Sequence, residues 1–147
     1  MIETIFAHNE VEFLLKLALC ILAGFAIGLE RESRGKDAGI STHTLVIMGS
    51  MLFTFMSALV EPEFASRIAA QVVTGIGFLG AGLILKEGTT VHNLTTAASL
   101  WFAAAIGMAF GFGFYVIGTL STLVAIMMLH VPRLVHRMNQ NTCEEKH

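Results

Sequence analysis

Residues Arg67 to Trp101 read RIAAQVVTGIGFLGAGLILKEGTTVHNLTTAASLW, and this stretch decides the fold. An arginine and a glutamine open an apolar run whose middle carries Gly75, Gly77, Gly80 and Gly82, with Ala81 between the last two. A short polar loop follows with Lys86, Glu87, His92 and Asn93, and a second apolar run starts at Thr95. A water-soluble core has no use for so many glycines among so many large apolar residues. Membrane helices do, because lipid tails are as apolar as leucine and close backbone approach over small residues must supply the attraction between helices. The pattern predicts two membrane spans joined by a loop.

Composition points the same way. Hydrophobic residues make up 54% of the 147, charged residues 14%, and mean hydropathy is +0.71. These values exclude an ordinary soluble domain and fit one integral membrane domain. Cys20 lies in the first apolar run and Cys143 in the polar tail, so no disulfide framework is expected. Residues 1–10 hold no Lys or Arg but do hold Glu3 and Glu10. The first apolar run is therefore expected to be a retained helix rather than a cleaved signal.

Crossing a bilayer takes roughly 17–25 predominantly apolar residues in a helix. Five stretches qualify: Val11–Leu29, Thr44–Val60, Ile68–Leu85, Thr95–Phe110 and Phe112–Val131. The expectation is an all-α membrane protein, a compact bundle of about five transmembrane helices over residues 1–131, with 132–147 as a short polar cytoplasmic tail. Pro62 suits the first turn of the third helix, where its missing N–H costs nothing. Asn93 and Thr95 are candidate caps of the fourth. Gly111-Phe112-Gly113 predicts a tight hairpin between the fourth and fifth, and Pro132 is expected to help end the fifth. Arg31, Arg34, Lys36, Lys86, Arg133, Arg137 and Lys146 fall on one side, with Arg67 on the other among Glu3, Glu10, Glu61 and Glu63. By the positive-inside rule the N-terminus faces out and the C-terminus lies in the cytoplasm. Lys16, a turn inside the first span, is expected to snorkel to the outer interface.

Chemistry is sparse. Gly75-Ile-Gly77-Phe-Leu-Gly80 matches G-x-G-x-x-G, but a dinucleotide site needs a preceding strand and a helix starting at the glycines, whereas here they lie mid-helix. Their expected role is packing, shared with Gly24 and Gly28 on the first span and with Gly107 and Gly111 on the fourth, within the bundle and across a possible homodimer seam. No nucleophile–base arrangement, metal-ligand spacing or phosphate loop is present, so no enzyme, metal or cofactor is expected. Scattered basic residues make no nucleic-acid surface. Glu63, Arg67 and Gln71 share one helical face. Arg67 is then either half of an interfacial ion pair or a charge turned into the bundle. Glu30 abuts the apolar run, which allows pairing with a loop arginine or binding of a proton or cation. His43, His92, His130 and His136 map to the cytoplasmic end, as surface residues by default and as pH sensors in the alternative. Trp101 is expected to pack.

Three segments together resemble the MgtC/SapB family of bacterial inner-membrane proteins: Gly28-Leu-Glu-Arg-Glu-x-x-Arg-Gly35, Thr42-His43 with Leu45-Val46, and Arg67-Ile-Ala-Ala-Gln through Gly82. Leu94-Thr-Thr-Ala-Ala-Ser-Leu-Trp101 extends the match, which covers roughly residues 15–118. Glu30, Arg31, Arg34, Arg67, Gln71, Thr95, Thr96 and Trp101 fit the family pattern, while Ser41, Phe64 and His92-Asn93 depart from it. The resemblance implies a multi-pass plasma-membrane domain without known catalysis, linked to growth in low magnesium and to virulence. It also implies contact with another membrane protein, since the MgtC branch is described as inhibiting the proton-translocating ATP synthase within the membrane. Many members add a soluble C-terminal domain, which is not expected here. The leading expectation is a non-enzymatic regulator acting by helix–helix contact with a membrane complex or with itself; the alternative is a small oligomeric transporter or channel for Mg2+ or H+.

Overall fold

The computed structural model describes residues 2–60, 62–64, 66–87 and 90–144, with side chains for 10–130 except 61, 65 and 85–89. Five helices carry the chain: α1 (Ile2–Glu32), α2 (Ile40–Val60), α3 (Ser66–Leu83), α4 (Leu94–Gly111) and α5 (Tyr115–Glu144). Glu10–Glu32 of α1 and the whole of α2, α3 and α4 are long and apolar enough to cross a membrane, and Tyr115–His130 of α5 is a shorter apolar helix. The protein is a multi-pass membrane protein of the all-α class.

Helices α2 and α4 form the centre. α1 packs along α2 on one side and α4 packs along it on the other; α5 closes on α4 and α1, while α3 leans on α4 and α2. Cys20, Ala23 and Ile27 of α1, Ile47 and Met51 of α2, and Ala103, Ile106 and Phe110 of α4 build one buried apolar cluster. A smaller one joins Ala38, Ile76, Leu100 and Ala104. Bare backbone lets the central helices meet: a Cβ on Gly24 would strike Thr44, one on Gly28 would strike Ile40, and one on Gly107 would strike the Ile47 carbonyl. A Cβ on Gly111 would lie 2.6 Å from Cβ of Thr54.

The glycines of α3 behave differently. A Cβ on Gly75, Gly77 or Gly82 would meet nothing within 4 Å, and one on Gly80 would meet only the Ala97 methyl, at an ordinary 3.7 Å. Only Ala69, Ile76 and Gly80 of α3 are buried. The expectation that the whole glycine run seats neighbours inside one bundle therefore holds within the chain for Gly80 alone. The remainder forms an outer face, with Phe78 81% exposed.

Two glycines close the main turns by conformation rather than by contact. Gly35 (φ +61°) ends α1, with its N–H donating to the Glu32 carbonyl and that of Lys36 to the Arg31 carbonyl. Gly113 (φ +82°) ends α4 in the same way, through Gly113 N–H to Phe110 and Phe114 N–H to Ala109. Both are left-handed C-caps that satisfy the last helical carbonyls.

Local expectations need correction at several places. Pro62 sits in a separate 3-10 turn, Pro62–Phe64, ahead of α3. The loop before α4 is an antiparallel hairpin, β1 (Leu85–Glu87) with β2 (Thr90–His92), Leu85 opposite His92. Asn93 precedes α4 in the left-handed conformation (φ 62°) and makes no side-chain cap; its amide donates to Asp37 Oδ2 at 2.6 Å instead. Helix α5 runs through Pro132 to Glu144, since one missing N–H can be absorbed in a long helix. Trp101 is 52% exposed on the outside of α4 rather than packed within the bundle.

A charged cluster at the end bearing the α1–α2 turn

The C-cap at Gly35 turns the chain back sharply, which holds the last turn of α1 beside the first turns of α2 and α4. Glu30 on that last turn and Arg34 just past it are four apart and form an ion pair, the two side chains being 10% and 16% exposed. The second Glu30 oxygen lies 3.1 Å from His130 Nε2, which arrives from α5. Glu30 thus ties α1 to α5 at the point where the apolar part of α5 ends.

Arg31 points the other way. It is 2% exposed, and its Nη2 donates to Thr96 Oγ1 on the first turn of α4 at 2.7 Å. One turn along, Ser99 Oγ lies 2.8 Å from the Thr96 carbonyl and 3.2 Å from His43 Nε2. His43 Nδ1 lies 3.0 Å from the Gly39 carbonyl. Arg31, Thr96, Ser99 and His43 therefore make a continuous polar network that joins α1, α4 and α2. His43 is fully buried, which corrects its default placement on the surface. A signal for this existed: His43, Ile47, Ser50, Thr54 and Ser57 recur every three or four residues along α2, and all are buried.

The remaining candidates are spread out. Thr95, beside Thr96, is exposed and lines a groove between α4, α5 and α1. Arg67 is exposed, with its guanidinium 5.9 Å from the Phe64 ring centre, and among the described residues no ion pair joins it to Glu63. Gln71 is exposed on α3, where it lines a cleft of about 510 Å³ between α2 and α3. Apart from Ser50 the cleft is otherwise apolar, with Gly49, Val72 and Gly75 among its walls.

A second charged centre, which the sequence reading missed, lies at the opposite end. Lys16 does not snorkel outward. It is 3% exposed, and its Nζ donates to the Gly111 carbonyl at 2.8 Å, lies 2.8 Å from Glu12 Oε1 and sits 4.7 Å over the Phe55 ring. The cation caps the negative end of α4, and Tyr115 reaches the same Glu12 oxygen at 3.4 Å. Between the two ends, Ile27, Ile47, Met51, Ile106 and Phe110 fill the interior.

Comparison with known proteins bears on this arrangement. Residues 17–138 match the MgtC family. The chain is 45% identical over 141 residues to an Escherichia coli K12 protein named "Putative magnesium transporter YhiD", an alignment covering 88% of this chain and 66% of that one. It is 45% identical over 122 residues to the Synechocystis protein slr0014, covering 80% and 52%. It is 42% identical over 114 residues to "Protein MgtC" of Salmonella typhimurium, covering 78% and 49%. The chain thus spans between about half and two thirds of the length of these relatives. No solved structure matches it. The match over residues 17–138 takes in Glu30, Arg31, Arg34, His43, Thr96, Ser99 and His130 of the first charged centre and begins just after Lys16 of the second, and the chain belongs to the MgtC family.

Proposed function

We propose that the chain is a non-enzymatic regulatory protein of the bacterial inner membrane, acting by helix–helix contact with a larger membrane complex. The observation that carries this reading is the uncovered face of α3. Gly77 and Gly82 offer bare backbone with nothing against it, while Gly75 and the exposed amide of Gln71 open onto the cleft beside α2. In hydrocarbon, small residues and a lone amide on one helix suit another helix better than lipid, because backbone packing and interhelical hydrogen bonds are what hold membrane helices together. The relative named Protein MgtC and the family resemblance point to adaptation to low magnesium or to virulence as the setting. The complex that resemblance names is the proton-translocating ATP synthase.

A second reading is favoured by the name of the Escherichia coli relative, "Putative magnesium transporter YhiD". Here oligomers of the chain carry Mg2+ or H+, with Glu30, Arg67 and Gln71 along the path. The interior between the two charged centres, mainly apolar and without a charged side chain among the described residues, argues against a path through a single copy.

Flux separates the two. Pure protein in proteoliposomes is expected to carry neither Mg2+ nor H+ above protein-free vesicles. Flux that disappears in Glu30→Gln or Arg67→Gln would replace the regulatory reading with the transport one.

A further inference from the structure

Among the described residues Arg31 is a buried guanidinium with no direct ion pair, the Glu30 carboxylate acting on it only at longer range. Among the described residues the nearby acids have other direct partners: Glu30 has Arg34 and His130, Asp37 has Asn93, and Glu32, which is exposed, has the Ile40 N–H at 3.2 Å. Arg31 itself has one neutral hydrogen bond, to Thr96, and its Nε–H has no partner; neither does that of Arg34 three residues on. A charge at 2% exposure with no direct ion pair and an unpartnered Nε–H is costly and suits a further counter-ion.

The same place shows a second deficit of the same sign. Helix α4 begins at Leu94, and the residue before it has turned its side chain to Asp37 and supplies no cap. The first-turn N–H groups of an 18-residue helix, with the positive end of its dipole, are therefore left without a capping side chain beside the Arg31 guanidinium. Helix amides and a guanidinium fork converging on one spot suit an oxyanion, and above all a phosphate.

The shape beside it favours one source of phosphate. A groove of about 280 Å³ lies between α1, α4 and α5, lined by Ile27, Thr95, Phe102, Val124, Met128 and Leu129. Ile27 is one turn before Arg31 on α1, and Thr95 adjoins Thr96, so the groove starts where the anion would sit. We infer that this end of the bundle binds an anionic phospholipid, its phosphate held by Arg31 and the first turn of α4 and one acyl chain lying in the groove. This site serves either reading of the function and depends on neither.

The test is native mass spectrometry of the full chain in mild detergent, titrated with phosphatidylglycerol, with diacylglycerol of the same chains and with inorganic phosphate. Phosphatidylglycerol should be retained about tenfold better than diacylglycerol, as expected for charge-assisted hydrogen bonds. Arg31→Gln should erase that preference. Val124→Trp, which fills the groove from an exposed position, should lower phosphatidylglycerol retention even if Arg31→Gln fails to fold. Equal retention of the two lipids, or phosphatidylglycerol binding undiminished in either variant, would overturn the proposal. Inorganic phosphate that displaces phosphatidylglycerol and binds Val124→Trp as well as wild type would show a free-anion site and overturn the lipid assignment.

Discussion

Lys16 shows how far a single side chain's surroundings depend on partners distant in sequence. From depth alone its long stem should carry the charge to the interface. Instead α4 ends at Gly111, 95 residues on, and presents a carbonyl where the ammonium can reach it without leaving the bundle. Lys16→Met would keep the stem and remove the charge, taking the Lys16 donor from the Gly111 carbonyl and the Lys16 ion pair from Glu12. It is expected to lower the unfolding free energy in detergent by about 2 kcal/mol, read from equilibrium denaturation. Charge pairs are a second residue-scale test. A double-mutant cycle on Glu30 and Arg34 should show coupling on the order of 1 kcal/mol, because both side chains are mostly buried. The same cycle on Glu63 and Arg67 should show none, because both residues are exposed and Arg67 rests on Phe64. Spacing of four residues made the two pairs look alike in the sequence; the contacts of their helices separate them.

At the scale of the element, the two sets of glycines should answer substitution in opposite ways. Gly111→Val drives a branched side chain into Thr54 and the Met51 carbonyl on the tight α2–α4 seam. A loss of at least about 2 kcal/mol is expected for the isolated chain. Gly77→Ala meets open space, so the isolated chain should stay within about 0.5 kcal/mol of wild type. Gly113→Ala retains the turn at φ +82° with a side chain that disfavours it, and about 1 kcal/mol should be lost. Thermal unfolding of the three variants in one detergent compares them directly. The helices were legible in the sequence because apolar runs of membrane length allow few alternatives. Which neighbour each small residue would meet was not legible, since G-x-x-x-G spacing specifies a face and not its partner. The hairpin at residues 85–92 was hidden for another reason: it is too short to show a period, and its pairing depends on where α3 and α4 begin and end.

For the whole molecule, the picture is a bundle sealed by charge at each end, packed with apolar side chains between, and left open along α3. Most of the cluster around Glu30 could be anticipated, since Glu30, Arg31 and Arg34 stand together at a span's end. His43 with Ser99 and His130 with Glu30 could not, because those partners lie 56 and 100 residues apart and meet only once α4 and α5 have packed. The proposed function requires that α3 face a protein and not lipid. A photo-crosslinking residue at Phe78, on the open face of α3, tests this in native membranes, with Val116, 72% exposed on α5, as the comparison. A discrete protein adduct is predicted at Phe78, absent at Val116 and lost when Gly77→Leu is added. Lipid adducts alone at both positions would contradict the account.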